Sequence, residues 1–404
     1  MRSYTFFTII LLCLALFIVD VFAFYWLQSI TQLVTLAFLR NFIYITFWIF
    51  AIGLIAAIII LRIRLESISP RRQQILITSL YGLTVSSFVP KLIFVIIISV
   101  LYFTNFVFLK EQSLLVFFIV GVFSGFLPFF TILYGIFRTL YRFKIHHVKI
   151  KIDVLPENYS GLRIVHISDL HLGSFNYRYH ILDRAINMIN HLKPDFIFFT
   201  GDLVNNCSWE LDNWELVLNQ LTAKMGKYSV LGNHDYGDYK KWDSDDEKQA
   251  NFDSIKKFYE KIDFKLLLNE ADIVNNDGEI IAVVGVENWG NPPFKQYGDL
   301  NKSLMNVNDI PFKILLSHDP THWNKEVIPK TDIKLTLSGH THGMQAGINL
   351  KNKKWSPIKY KYKQWAGLYE NDQQYLYVNR GLGWVGFPGR LGMRPEITFL
   401  ELEK

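Results

Sequence analysis

The segment Leu162-Arg-Ile-Val-His-Ile167, running into Ser168-Asp169-Leu170-His171-Leu172-Gly173, joins a short apolar run to a polar cluster. Such a run, bounded by turn residues, reads as a buried strand with chemistry at its C-terminal end. The same design recurs four times downstream. Asp195-Phe-Ile-Phe-Phe-Thr200 leads into Gly201-Asp202, and Lys227-Tyr-Ser-Val-Leu231 into Gly232-Asn233-His234-Asp235. Phe312-Lys-Ile-Leu-Leu316 leads into Ser317-His318-Asp319-Pro320, and Ile333-Lys-Leu-Thr-Leu337 into Ser338-Gly339-His340-Thr341-His342-Gly343. Helical patterns lie near Tyr179–His191, Glu210–Leu221 and Lys248–Ile262. Strands alternating with helices predict an α/β domain over residues 150–404, with its site along one edge of the sheet.

The residue types at those strand ends point to metal chemistry. Asp169 and His171 stand two apart, as do His340 and His342; on an extended segment each pair points one way. Asp202 follows a glycine, which allows close approach of the backbone. A carboxylate between two cations can bridge them and offset their repulsion. Oxygen and imidazole ligands without thiolates suit two divalent ions such as Mn, Fe, Zn or Co. Ions ~3.5–4 Å apart would clamp a phosphoryl group and turn a bound water into hydroxide at neutral pH. Each piece alone is weak, since an Asp-x-His occurs by chance and a single strand-end histidine is usually structural. Five in order, each after a strand, are far more specific. His166, His180, His191 and His322 lack such context and read as ordinary core or surface residues, with His322 the nearest exception because it lies close to His318.

The first third is different in kind. Four apolar stretches, roughly Phe6–Leu27, Phe42–Leu61, Ile75–Phe103 and Leu114–Phe137, each reach the ~20 residues needed to cross a bilayer. Buried helices of a soluble protein would keep a polar face, which these lack. Pro90 and Lys91 interrupt the third run and predict a kink, a tilt or a later start. Lys91 is the closest candidate for an ionisable residue within a span, which gives no sign of transport. Residues 1–155 carry 13 of the 42 basic residues and four of the 36 acids, leaving 29 basic against 32 acidic in the remainder. The net charge of +6 therefore belongs to the N-terminal part, which argues against nucleic acid as a partner. Arg62, Arg64, Arg71 and Arg72 fill the second loop, and Arg138, Arg142, Lys144, Lys149 and Lys151 follow the fourth span. Arg40 in the first loop, and Lys110 beside Glu111 in the third, are the sparse charges of the other side. The positive-inside bias thus predicts a multi-pass protein of an inner or plasma membrane with a cytoplasmic C-terminal domain. His146 and His147 in the basic exit segment read as a solvated interfacial pair. Cys13 and Cys207 form neither a disulfide framework nor a metal site, and their scarcity fits a reducing compartment.

The five ordered blocks resemble the calcineurin-like metallophosphoesterase superfamily over roughly residues 150–404. The membrane-associated branch is suggested by Tyr377-Val-Asn-Arg-Gly-Leu-Gly383 and Arg394-Pro-Glu-Ile397. The resemblance implies a two-sheet β sandwich flanked by helices, here preceded by a four-helix transmembrane region over residues 1–145. It implies one ion on Asp169, His171, Asp202 and His342, and a second on Asp202, Asn233, His318 and His340, with Asp202 as the bridge. His234 would protonate the leaving oxygen or stabilise developing charge, and Asp235 would orient it. Relatives often carry Gly-Gly-Gln after the last histidine, where this chain has Gly343-Met344-Gln345; the added bulk bears on substrate shape.

The function expected is hydrolysis of a phosphodiester or pyrophosphate. Its partners would be a phosphate-containing small molecule or lipid-linked substrate and membrane lipid. Relatives that are UDP-2,3-diacylglucosamine hydrolases suggest a nucleotide-activated glycolipid. A non-catalytic membrane scaffold is the alternative from another class, but scaffolds usually lose ligands and here every position is filled. A protein phosphatase stays open, while a nuclease lacks its basic stripe. Arg380, Arg390 and Arg394 would either meet substrate phosphate or make structural ion pairs. Trp289-Gly-Asn-Pro-Pro-Phe294, Trp384 and Phe387 would either line an acyl groove or pack within loops.

Overall fold

A computed structural model describes residues 6–108, 114–176, 178–292, 294–350 and 353–404. Lys110 and Glu111, expected to mark the third loop, lie outside the described residues. The chain divides into two compact units.

One unit holds the helices up to Arg138 together with Gly386–Gly389. Its helices are α1 (Phe6–Ile30), α2 (Ala37–Arg64), α3 (Pro70–Phe108) and α4 (Leu114–Phe137). All four are long and apolar enough to cross a membrane. Pro90 does not end α3, which is 39 residues long and continues to Phe108; lost backbone hydrogen bonds are tolerated where neighbouring helices cover them. The helices meet through Ala23, Trp26 and Ile30 of α1 and Phe94 and Ile98 of α3. Several polar groups are paired across the bundle. Trp26 Nε1 donates to Ser99 Oγ at 3.0 Å, and Thr31 and Tyr44 share a hydrogen bond of 2.7 Å. Lys91 is no isolated charge. Its Nζ lies 2.5 Å from Asp20 Oδ1, and its ammonium sits 4.7 Å from the centre of the Phe47 ring. Asp20 belongs to α1, and no sequence pattern links it to Lys91, 71 residues away.

The other unit comprises Thr139–Val385 and Arg390–Lys404. Its strands, in order, are β1 (Lys144–Lys151), β2 (Leu162–Ile167), β3 (Phe196–Phe199), β4 (Gly226–Ser229), β5 (Lys265–Leu266), β6 (Glu270–Asn276) and β7 (Glu279–Val286). They continue as β8 (Lys313–Ser317), β9 (Leu335–Ser338), β10 (Ile348–Leu350), β11 (Lys353–Trp355), β12 (Gly367–Asn371), β13 (Gln374–Val378) and β14 (Glu396–Glu403). Two six-stranded sheets form, ordered β1-β14-β2-β3-β4-β5 and β12-β13-β9-β8-β7-β6, with β10-β11 as a separate hairpin. His146 and His147 belong to β1, and His147 packs edge-on against Phe399. The segment after the helices is thus a strand, in which His146 is half-buried and His147 stays exposed.

Strand alternation builds the layers. Phe196 and Phe198 enter the core between the sheets with Ile164, Ile281, Val283, Ile314, Leu316 and Leu400. Ile197 and Phe199 face α5 (Tyr179–His191) and, beyond the short α6 (Glu215–Leu218), α7 (Asp245–Lys261). On the far side, Val284 and Leu315 pack against Leu300 and Leu304 of α8 (Leu300–Leu304). Each fully buried side chain of this size contributes roughly 1.5–3 kcal/mol. The helix expected over Glu210–Leu221 is broken into a 3₁₀ turn, Ser208–Leu211, and the short α6. The Glu210 carboxylate accepts from the backbone N–H groups of Asn205, Asn206 and Cys207 and holds a tight turn there instead.

Candidate metal centre

Both sheets deliver side chains to one place. Strands β2, β3 and β4 are mutually parallel and end at Asp169, Asp202 and Asn233, while parallel β8 and β9 of the other sheet end at His318 and His340. The site therefore spans the C-terminal edges of two sheets rather than one.

The local backbone is not extended there. Asp169, His171, Asp202, His340 and His342 all have positive φ, between 47° and 70°. Their convergence comes from sharp left-handed turns, so the extended-strand argument for the i, i+2 pairs does not hold. Such conformations cost on the order of 1–3 kcal/mol each and persist where the surroundings over-determine them. Here Asp169 N donates to Gly201 O at 2.9 Å, His171 N to Asp202 O at 3.0 Å, and His340 N to the Asp169 carboxylate at 3.1 Å. Gly339 permits that last contact, because a Cβ on it would stand 1.9 Å from Ser168 Oγ and 2.4 Å from Asp169 Oδ2.

Two clusters of ligand-type atoms result, Asp169, His171, Asp202 and His342 in one and Asp202, His318 and His340 in the other. In the first, His171 Nε2 and His342 Nε2 are 3.1 Å apart, His342 Nε2 is 3.2 Å from Asp169 Oδ1, and His171 Nε2 is 3.5 Å from Asp202 Oδ2. In the second, His318 Nε2 is 3.3 Å from Asp202 Oδ2, 3.2 Å from His340 Nδ1 and 3.2 Å from Asn233 Oδ1. All seven residues expected as ligands from the sequence thus come together, and Asp202 belongs to both groups.

The electrostatics call for positive charge. Burial would raise the carboxyls of Asp169 and Asp202, but the neighbouring imidazoles, His342 foremost for Asp169 and His318 for Asp202, hold both well below the usual range. Burial pushes His171 down to about 3 and His340 to about 4. His318 goes the other way: burial opposes its charge, yet Asp202 outweighs burial and raises it to about 10. Two buried carboxylates facing several acceptor nitrogens form a donor set that divalent cations fit.

His234 stands beside the clusters. Its Nδ1 is 2.7 Å from the Asn205 carbonyl, which can only accept, so Nδ1 carries the proton and Nε2 is left basic. Its ring packs edge-on against His171 at 4.9 Å. The orienting role expected of Asp235 falls to that carbonyl. Asp235 instead accepts from the backbone N–H groups of Asp202, Leu203, Val204 and Gly232, tying two loops of the site together. Burial and the charge of Asp202 raise its carboxyl to about 7.

The three C-terminal arginines have structural partners. Arg390 is fully buried and donates to the carbonyls of Arg380, Gly381 and Gly383. Arg380 pairs with Glu396, and Arg394 donates to the carbonyls of Arg142 and Phe143 at 2.8 and 2.9 Å. The loop they hold backs the first cluster, with Leu382 N donating to Ser168 O and Gly383 N to Asp169 O. Trp289 is buried and stacked on His322, and Trp384 is buried against Phe175. Of the described part of the Trp289 loop, Phe294 reaches the site, edge-on to His340 at 5.0 Å. His322 bonds Ser317 Oγ at 2.9 Å and stays outside the clusters, and Met344 is 53% exposed. Two site neighbours that sequence reading passes over are Tyr239, whose Oη is 2.8 Å from Asn233 Nδ2, and Tyr362, whose Oη is 2.8 Å from His340 Nε2. Neither lies in a recognisable block, so spacing offers no signal.

Comparison with known proteins gives concordant matches. The family model for calcineurin-like phosphoesterases matches residues 162–344. The chain is similar to the uncharacterised metallophosphoesterase YkuE of Bacillus subtilis, with 31% identity over 63% of this chain and 83% of that protein. It is similar to a zebrafish (Danio rerio) transmembrane protein with metallophosphoesterase domain, with 28% identity over 67% of this chain and 60% of that one. Against the Escherichia coli phosphodiesterase YaeI, identity is 26% over 63% and 87% of the two chains.

Proposed function

Because this chain belongs to the calcineurin-like metallophosphoesterases, metal-dependent phosphoester hydrolases, we propose that it cleaves a phosphodiester or pyrophosphate bond of a lipid-linked substrate at a membrane surface. The observation that carries the reading is the pair of ligand clusters sharing Asp202, with His234 at their side. Asp169, His171, Asp202 and His342 would hold one divalent ion, and Asp202, Asn233, His318 and His340 another. Bound there, the ions would supply Lewis acidity and activate water for attack on phosphorus.

The chain's own residues then divide the work. Asp202 neutralises charge between the two positions, while its Oδ1 accepts from His234 N at 2.9 Å and keeps that imidazole alongside. His234, with Nδ1 committed to Asn205, presents Nε2 to the site and, when protonated there, passes that proton to the departing oxygen. Asp235 fixes the loops that carry Asp202 and His234.

The lipid link rests on the four apolar helices, and the cytoplasmic placement of the catalytic unit on the arginines of the second loop and those after the fourth helix. UDP-2,3-diacylglucosamine is the specific substrate proposed. The test uses the full chain in detergent with Mn. Bis-p-nitrophenyl phosphate reads the general activity and the glycolipid nucleotide the specific one. Turnover of neither, with Mn shown to be bound, would overturn the enzyme reading; turnover of the first alone would remove the glycolipid.

A further inference from the structure

The two halves of the site hold their ligands differently. In the first cluster, Nδ1 of His171 and Nδ1 of His342 are buried without a hydrogen-bond partner among the described residues. In the second, the three residues not shared with the first have their far sides engaged. His318 Nδ1 meets the Thr200 carbonyl at 2.6 Å, Asn233 Nδ2 meets Tyr239 Oη, and His340 Nε2 meets Tyr362 Oη.

We propose that Tyr239 and Tyr362 are positioning residues that preset Asn233 and His340 for the second cation, so that this half of the site depends on two phenol hydroxyls. The inference rests on the two-ion reading given above.

An asparagine amide binds a cation only through its oxygen, and a half-turn about its last bond would present N–H groups instead. Tyr239 Oη accepts from Asn233 Nδ2 and leaves Oδ1 facing His318 Nε2 at 3.2 Å. The turned amide would forfeit the contact of Oδ1 with His318 Nε2. Imidazole binds through a nitrogen without a proton. His340 directs Nδ1 at the cluster, 3.2 Å from His318 Nε2, so its proton belongs on Nε2, where Tyr362 Oη accepts it. Partners of this kind fix tautomer and ring angle.

Both phenols are themselves held. Tyr362 is buried, lies edge-on to His340 at 5.4 Å, and its backbone N–H donates to the Ile358 carbonyl at 2.9 Å. Tyr239 packs on His234 at 4.7 Å, and its backbone N–H meets Asn206 Oδ1 at 3.2 Å. Phe294 closes on His340 at a steep angle from a third segment, which leaves the ring little freedom to rotate.

The test compares the wild-type full chain in detergent with Tyr239→Phe and Tyr362→Phe, which remove an oxygen and keep the ring. Each protein is stripped with chelator and titrated with Mn by calorimetry, and turnover of bis-p-nitrophenyl phosphate is followed against Mn concentration. Wild type is expected to bind two ions. Each variant is expected to keep one affinity and lose roughly 10–100-fold in the other, with turnover restored by excess Mn. The retained ion reports that the variant is folded. Two unchanged affinities in both variants, or lost turnover that excess Mn does not restore, would overturn the inference while leaving the two-ion reading intact. Fewer than two ions in wild type would overturn both.

Discussion

His234 is tied through Nδ1 to the carbonyl oxygen of Asn205, 2.7 Å away, so its tautomer is set by the backbone of the Asp202 loop rather than by a carboxylate. His234 touches the clusters without joining either. His234→Ala is therefore expected to lower kcat by about 10²–10⁴ while the metal content stays that of wild type. Turnover measured beside elemental analysis of the purified protein checks both halves of the statement.

Asp202 should behave differently, because both clusters use it. Asp202→Ala is expected to reduce binding of both ions, with activity falling to background. If elemental analysis finds the variant losing at most one ion, the shared role is wrong.

The buried Arg380–Glu396 pair gives a pH dependence with a definite sign. Burial alone would raise the Glu396 carboxyl, but Arg380 prevails and the group falls from 4.5 to about 2. A group depressed on folding stabilises the protein above its unfolded pKa. That contribution, on the order of 3 kcal/mol at most, is present above about pH 4.5 and lost as pH falls toward 2. Thermal unfolding should show Glu396→Gln less stable than wild type at about pH 7, with the gap closing as the pH is lowered through that window. An equal gap throughout would exclude this origin.

Asp20 and Lys91 lie in helices apolar enough to cross a membrane. Lys91→Met leaves a carboxylate without its counter-charge, a change that costs roughly 3–5 kcal/mol in buried pairs. Lys91→Met is expected to lower the thermal midpoint in detergent, and the Asp20→Asn, Lys91→Met double change should recover most of it. A double variant no better than the single one would show the pair to be unimportant for stability.

Periodicity locates β2 and the four apolar helices closely, because burial on both faces and membrane length leave strong patterns. The seven ligand candidates are legible because each follows a strand and each is of an unmistakable chemical type. What escapes is set by tertiary contacts. The left-handed turns at Asp169, His171, His340 and His342 are imposed by hydrogen bonds between segments up to 171 residues apart. The capture of Asp235 by four backbone groups, and of Asn233 and His340 by phenols, leaves no local pattern. Arg380, Arg390 and Arg394 look equally suited to phosphate or to structure, and only their carbonyl and carboxylate partners decide it.

Strand β14 lies inside its sheet, flanked by β1 over eight paired residues and by β2 over five. Those two neighbours, ending at Lys151 and Ile167, leave the ribosome long before Glu396 is added. Until synthesis has passed Glu403, β1 lacks β14, its neighbour among the described residues, and the loop after β2 rests on an open edge. Folding of the catalytic unit thus waits on the synthesis of β14. Growing chains of this protein should need protection from edge-to-edge association until then.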